Sequence, residues 1–197
     1  MKKLSGMRVA ILVCDGFEQV ELIEPRLALE DEGAETYVVS PVGRRVKGWK
    51  TTDWGKKVRV NVPLAQADAR NFDALLLPGG VINPDRLRLH PSAIDFIRAF
   101  AAAGKPIAAI CHGPWTLIDA EFVRGKTVTS WPSLRTDLKN AGANWIDEEV
   151  VRDGTLVTSR KPADIPAFNR KMIDTFAEAG ARAGQATREA IPAEASF

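Results

Sequence analysis

Histidine and cysteine are scarce in this sequence. The 197 residues hold two of each, His90 and His112, Cys14 and Cys111. Four such residues, spread along the chain, do not furnish a rich zinc site. No histidine follows residue 112. That excludes thiol triads whose base lies far downstream of the cysteine, as in papain-type proteases and amidotransferases. The sparse cysteines give no disulfide framework and fit a reducing compartment. Long apolar runs are also missing. The longest early one, Val9 to Cys14, has six residues, and a membrane span needs about 18. Lys2 and Lys3 imitate a signal-peptide start, but Arg8 interrupts, Asp15 follows, and no small-residue cleavage pattern appears. A cytoplasmic protein is expected. Charge of one sign is lacking too: 27 basic and 25 acidic residues leave +2, which argues against a nucleic-acid partner. No Gly-x-Gly-x-x-Gly occurs, and Gly125-Lys126 lacks the upstream glycine of a phosphate-binding loop.

What is present is globular. Hydrophobic residues make up 45% and charged ones 26%, and the length suits one domain. Arg8–Cys14, Phe72–Pro78 and Pro106–Cys111 are continuous apolar runs, the mark of strands buried on both faces. Glu35–Ser40 reads as another strand. Residues 42–62 alternate basic, aromatic and β-branched types around Gly43, Gly48 and Gly55, a hairpin excursion from the core. Between Glu18 and Glu32, Val20, Ile23, Leu27 and Leu29 fall near helical spacing, with a restart expected at Pro25. Pro91–Ala103, Gly113–Ala120, Leu134–Ala141 and Pro162–Ala181 read as helices, and Val150–Ser159 as a hairpin turning at Asp153-Gly154. Strands alternating with helices predict an α/β sandwich on a mostly parallel sheet, spanning residues 1–181. Arg182 to Phe197 lacks periodicity and is expected to be a mobile tail.

Ligands of such sheets bind beyond the carboxyl ends of the strands. There the sequence places Cys14-Asp15-Gly16 and Glu18, Pro78-Gly79-Gly80, and Cys111-His112-Gly113. Cys111 stands between a buried strand and a helix start. This predicts a nucleophile elbow, with backbone N–H groups lowering the thiol pKa. Cys14 reads as a packed, inert thiol. Glu18 is placed to tune Cys111, although a helix-start glutamate needs no such role. Gly79 and Gly80 open the backbone to a ligand, and with the His112 N–H they fit an oxyanion hole. Trp115 and Trp131 are expected to wall a small pocket.

At this point the chain resembles the PfpI-type intracellular proteases and deglycases, within the class I glutamine amidotransferase-like superfamily. The marks are Phe17-Glu-Gln-Val-Glu-Leu22, Leu77-Pro-Gly-Gly80, Pro84-Asp-Arg-Leu-Arg88, Gly104-Lys-Pro106, Ala109-Ile-Cys-His-Gly-Pro114, Thr129-Ser-Trp-Pro132 and Ser159-Arg-Lys-Pro-Ala-Asp164. The resemblance implies a flavodoxin-like sandwich, Cys111 as nucleophile, Glu18 hydrogen-bonded to its thiol, and His112 as base. It implies that an acid from a neighbouring subunit, here Asp85 where glutamate is usual, pairs with His112. It implies dimers or hexamers, no metal or organic cofactor, and small carbonyl compounds or damaged proteins as substrates. A cysteine-dependent hydrolase of the stress-response type is therefore expected. The alternative is a non-enzymatic sensor or chaperone that works by oxidation of Cys111.

Overall fold

A computed structural model describes the backbone of residues 2–190. Its first strand, β1 (Arg8–Leu12), alternates sides with period two. Ala10, Leu12 and Cys14 join the core on one face of the sheet, and Val9, Ile11 and Val13 join the core on the other. Both faces of the strand are dry, which is why the run carries no polar residue after Arg8.

The chain then makes a short strand β2 (Phe17–Glu18), helix α1 (Gln19–Asp31), β3 (Glu35–Ser40), the hairpin β4 (Arg45–Lys50) and β5 (Asp53–Arg59), and β6 (Val62–Pro63). Next come β7 (Ala74–Leu77), α2 (Ile82–Arg88), α3 (Pro91–Ala102), β8 (Ile107–Ile110), α4 (Trp115–Asp119) and β9 (Thr127–Val128). Helix α5 (Arg135–Asn140), β10 (Asn144–Trp145), β11 (Val150–Asp153), β12 (Leu156–Ser159) and α6 (Ile165–Ala190) complete it. The main sheet runs β11-β12-β8-β7-β1-β3-β6. Only the β11–β12 pair is antiparallel. From β1 the chain goes first to β3 on one side and later to β7 on the other. The crevice therefore opens between the ends of β1 and β7, where strand order reverses.

One face is packed with Phe72, Phe96, Ile97 and Phe100, the other with Phe168, Met172 and Phe176 from α6. The flavodoxin-like sandwich read from the sequence is the observed architecture. Three local expectations differ. Helix α1 does not restart at Pro25 but runs through it, with Pro25 buried inside. The ring removes one helical hydrogen bond and crowds the Glu21 carbonyl, and burial of the ring against the core offsets part of that cost. The inward stripe of α1 is Glu21, Leu22, Pro25 and Leu29, while Leu27 is 48% exposed. Helix α6 continues to Ala190 rather than ending at Ala181, and residues 191–197 of the expected tail lie outside the described residues. Among the described residues no helix is long and apolar enough to cross a membrane.

Candidate active site

Three strand ends converge at the crevice. Asn83, fully buried on α2, ties two of them. Its side-chain amide N–H donates to the Pro78 carbonyl at 2.8 Å, and its carbonyl oxygen accepts from the Cys14 N–H at 2.6 Å. The third end is the bend after β8. Cys111 sits there with φ +63°, in the left-handed region. That strain costs a non-glycine residue roughly 1–3 kcal/mol. The Cys111 N–H donates to the Ser159 carbonyl at 3.0 Å, and the Cys111 carbonyl accepts from the Trp131 N–H at 2.9 Å. The backbone is thus clamped on both sides of the strained residue, and the elbow read from the sequence is present.

A cavity of about 500 Å³ opens above it, lined among others by Cys111, His112, Glu18, Trp49 and Trp131. Its size suits a small molecule or one side chain. Cys111 is buried, with 6% of its surface exposed, and it lines this cavity. His112 Nδ1 lies 3.2 Å from Cys111 Sγ, and His112 Nε2 lies 3.5 Å from Ser133 Oγ. The ring stacks on Trp131, centroids 5.8 Å apart. Burial pulls the imidazole down to about pKa 4, so at neutral pH it is uncharged and able to accept a proton.

The carboxyl beside the thiol is that of Glu21, not Glu18. Glu21 is fully buried, and its Oε2 accepts the Gly79 N–H at 2.9 Å. Its Oε1 has no hydrogen-bond partner, and the carboxyl stands close enough to the Cys111 thiol for each to shift the other's pKa. Glu18 lines the same cavity, but its Oε2 takes the Thr51 N–H at 3.4 Å. The reason is helical geometry. Glu18 precedes α1 and points along the crevice, whereas Glu21 stands on the inward stripe with Leu22 and Pro25. That stripe position, a carboxyl among buried apolar residues, was the available signal.

The thiol also departs from expectation. Burial and the neighbouring Glu21 carboxyl push the Cys111 pKa up, while the Gly80 and His112 N–H groups pull it down without prevailing. Burial likewise pushes Glu21 up to about 8. At neutral pH Glu21 therefore keeps its proton and can donate it toward the sulfur. Cys14 is packed as expected: it is fully buried, and its thiol is pushed up to about 12 by burial.

The Gly79 N–H donates to Glu21 Oε2, while the Gly80 and His112 N–H groups lie near enough to pull the Cys111 pKa down, the Gly80 N–H acting on Glu21 as well. Gly80 has φ +75°, and a Cβ there would stand 2.5 Å from the Gly16 carbonyl oxygen and 2.6 Å from the Glu18 nitrogen. Neither backbone atom can yield cheaply. We expect Gly80→Ala to destabilise the fold by about 2 kcal/mol or more, lowering the Tm by roughly 4–8 °C for a domain of this size. Differential scanning calorimetry would check this; an unchanged Tm would refute the close approach.

Trp115 is not in the Cys111 cavity. It borders a neighbouring hollow of about 430 Å³ with His112, Ser133 and Asp137, and the Arg88 guanidinium lies 4.6 Å from its ring centroid. Trp49 takes the cavity wall instead. It is brought there by pairing of β2 with β4, which sets Glu18 opposite Trp49. Asp85 is exposed on α2.

Residues 7–175 match the DJ-1/PfpI family. Deglycase PH1704 of Pyrococcus horikoshii is 42% identical over 167 residues, covering 85% of this chain and 98% of the relative. General stress protein 18 of Bacillus subtilis is 41% identical over 170 residues, covering 85% and 96%. The crystal structure of Drosophila melanogaster DJ-1beta superposes with a TM-score of 0.77 at 28% identity, covering 88% of this chain and 95% of that one.

Proposed function

We propose, for a chain that belongs to the DJ-1/PfpI family, hydrolysis of carbonyl adducts through the Cys111 thiol. The observation that carries this reading is the 3.2 Å approach of a neutral His112 Nδ1 to the sulfur of a strained elbow. As sulfur attacks the carbonyl carbon, its proton passes to His112. The carbonyl π pair moves to oxygen, which collects the Gly80 and His112 N–H groups. His112 then returns the proton to that oxygen, which gives a hemithioacetal. A proton shifts from the sulfur-bearing carbon to the neighbouring keto carbon through an enediol, which leaves a 2-hydroxyacyl thioester. Water hydrolyses the thioester to a 2-hydroxy acid and restores the thiol. A lysine adduct enters the same course once its amine leaves with a proton and the aldehyde is re-formed. The nucleophile is made at the moment of attack, because burial keeps the resting thiol protonated. Asp85 of a neighbouring subunit is the acid that would steady His112 in a dimer or hexamer. Within one chain Ser133 stands at that side of the ring.

The naming of relatives as a deglycase and as a stress protein supports adducts of reactive aldehydes over folded proteins as substrates, and the cavity size agrees. The second reading, an oxidation sensor, rests on the Glu21 carboxyl, which can hydrogen-bond an oxidised Cys111 sulfur. One experiment separates them. The purified protein is given methylglyoxal or a methylglyoxal-modified lysine peptide, and separately mild peroxide, with both followed by mass spectrometry. Turnover of the aldehyde or its adduct is expected. Selective oxidation of Cys111 with no turnover would replace the hydrolase by the sensor.

A further inference from the structure

The hairpin β4–β5 rises beside the cavity and carries an unusual charge. Residues 44–59 contain seven basic residues against one aspartate, while the whole chain has a net charge of only +2. The rest of the molecule is therefore net acidic. Among the described residues, no cation of this hairpin takes part in an ion pair.

The register concentrates the charge. Val46 pairs with Val58 across the strands, and both are buried. Side chains alternate along a strand. The neighbouring rungs, Arg45 opposite Arg59 and Lys47 opposite Lys57, thus point away from the core together. Like charges set directly opposite one another destabilise a sheet. Charges on the edge strand β5 alone would be explained as protection of a free edge, but Arg45 and Lys47 stand on the central strand of this small sheet. Beyond a shift in register between Lys47 and Trp49, Trp49 stands opposite Trp54, rings 5.4 Å apart edge to face, and Lys47 Nζ lies 5.0 Å from the centre of the Trp54 ring. Trp54 is 41% exposed, and Trp49 forms cavity wall. Cations, then aromatics, then the cavity follow one another along a single face.

We propose that this face recruits acidic polypeptide segments and so directs the enzyme to adducts lying in acidic sequence. The inference rests on the hydrolase reading above. Two features favour a peptide over a nucleic acid. The cationic rungs recur every second residue, about 6.8 Å, the spacing at which an extended peptide presents same-face side chains. Glu18 walls the cavity and would repel a phosphodiester entering there, whereas the side-chain adduct of a lysine or arginine carries no negative charge into it.

The test uses twelve-residue peptides with one methylglyoxal-modified lysine in Asp/Glu-rich, Ser/Gly-rich or Lys-rich surroundings. At low salt, kcat/KM for the acidic peptide should exceed that for the neutral one by about tenfold or more, through KM, since charge steering acts on encounter. The ratio should shrink in 0.5 M salt. In the double variant Lys47→Gln/Lys57→Gln it should fall to about twofold or less. The Tm of that variant should stay at or above the wild-type value, because a repulsive rung is removed. Equal kcat/KM on all three peptides, with free methylglyoxal turned over normally, overturns this inference and leaves the hydrolase standing. If free methylglyoxal is not turned over, the hydrolase reading fails. Fluorescence anisotropy of an unmodified acidic peptide then still decides whether the face binds. Tighter binding of a dT12 oligonucleotide than of the acidic peptide overturns the proposal. So does an oligomeric state that changes in the variant while no peptide binds.

Discussion

Cys111→Ser should lower kcat/KM for methylglyoxal by at least about 10³-fold while leaving the Tm within a few degrees. The reason lies in the geometry around the sulfur. The Gly80 and His112 N–H groups, the His112 ring and the Glu21 carboxyl all converge on that one atom. A hydroxyl at the same place gives up its proton far less readily than a thiol. A neutral imidazole whose pKa has been pulled down to about 4 is too weak a base to compensate. The φ of +63° at residue 111 is set by the clamped backbone, so serine inherits the strain and the fold survives. Steady-state kinetics beside a thermal melt would separate loss of chemistry from loss of structure. Equal activity in the two proteins would remove Cys111 from the mechanism.

Glu21→Gln should change how stability depends on pH. The Glu21 carboxyl has a folded pKa of about 8 against 4.5 for the free group, chiefly through burial. Between those values the folded chain holds a proton that the unfolded chain has released. Its stabilising contribution is therefore complete below about pH 4.5 and is lost as pH rises toward 8. His112 acts in the opposite sense. Its pKa falls from 6.5 to about 4 on folding, so stability gained through His112 rises with pH across that lower range. The two offset each other up to about pH 6.5, and the net fall is concentrated between 6.5 and 8. At about 1.4 kcal/mol per pH unit this amounts to roughly 2 kcal/mol. The glutamine variant keeps an acceptor for the Gly79 N–H but carries no proton to lose, so its stability should be flat over the same interval. Urea unfolding at pH 6.5 and 8 would measure both. A wild-type protein whose stability does not fall over that range would show that Glu21 is ionised at ordinary pH. The same variant should react faster with iodoacetamide above pH 8, where the wild-type carboxylate repels the developing thiolate.

The architecture was legible because apolar runs and turn residues alternate without conflict along nearly the whole chain. The elbow was legible for a similar reason: Cys111-His112-Gly113 directly follows a four-residue strand with no polar side chain. The acid beside the thiol was not. Choosing it required the rotation of α1, and the apolar residues that seemed to define its face included Leu27, which is exposed. Pro25, which suggested a break, is in fact part of the buried stripe. Trp49 was hidden for another reason. It reaches the cavity only through the pairing of β2 with β4, a contact between segments some thirty residues apart that no local pattern encodes. The extra length of α6 follows a stretch rich in alanine and charged residues, where helix propensity rather than an apolar stripe carries the helix on.

His112 borders two hollows, the cavity above the sulfur and the one shared with Trp115 and Ser133. An imidazole placed like that has a front door and a back door. While a reactant occupies the front, Nδ1 can take the thiol's proton and Nε2 can release its own on the Ser133 side, so the charge that the ring gains need not stay on it.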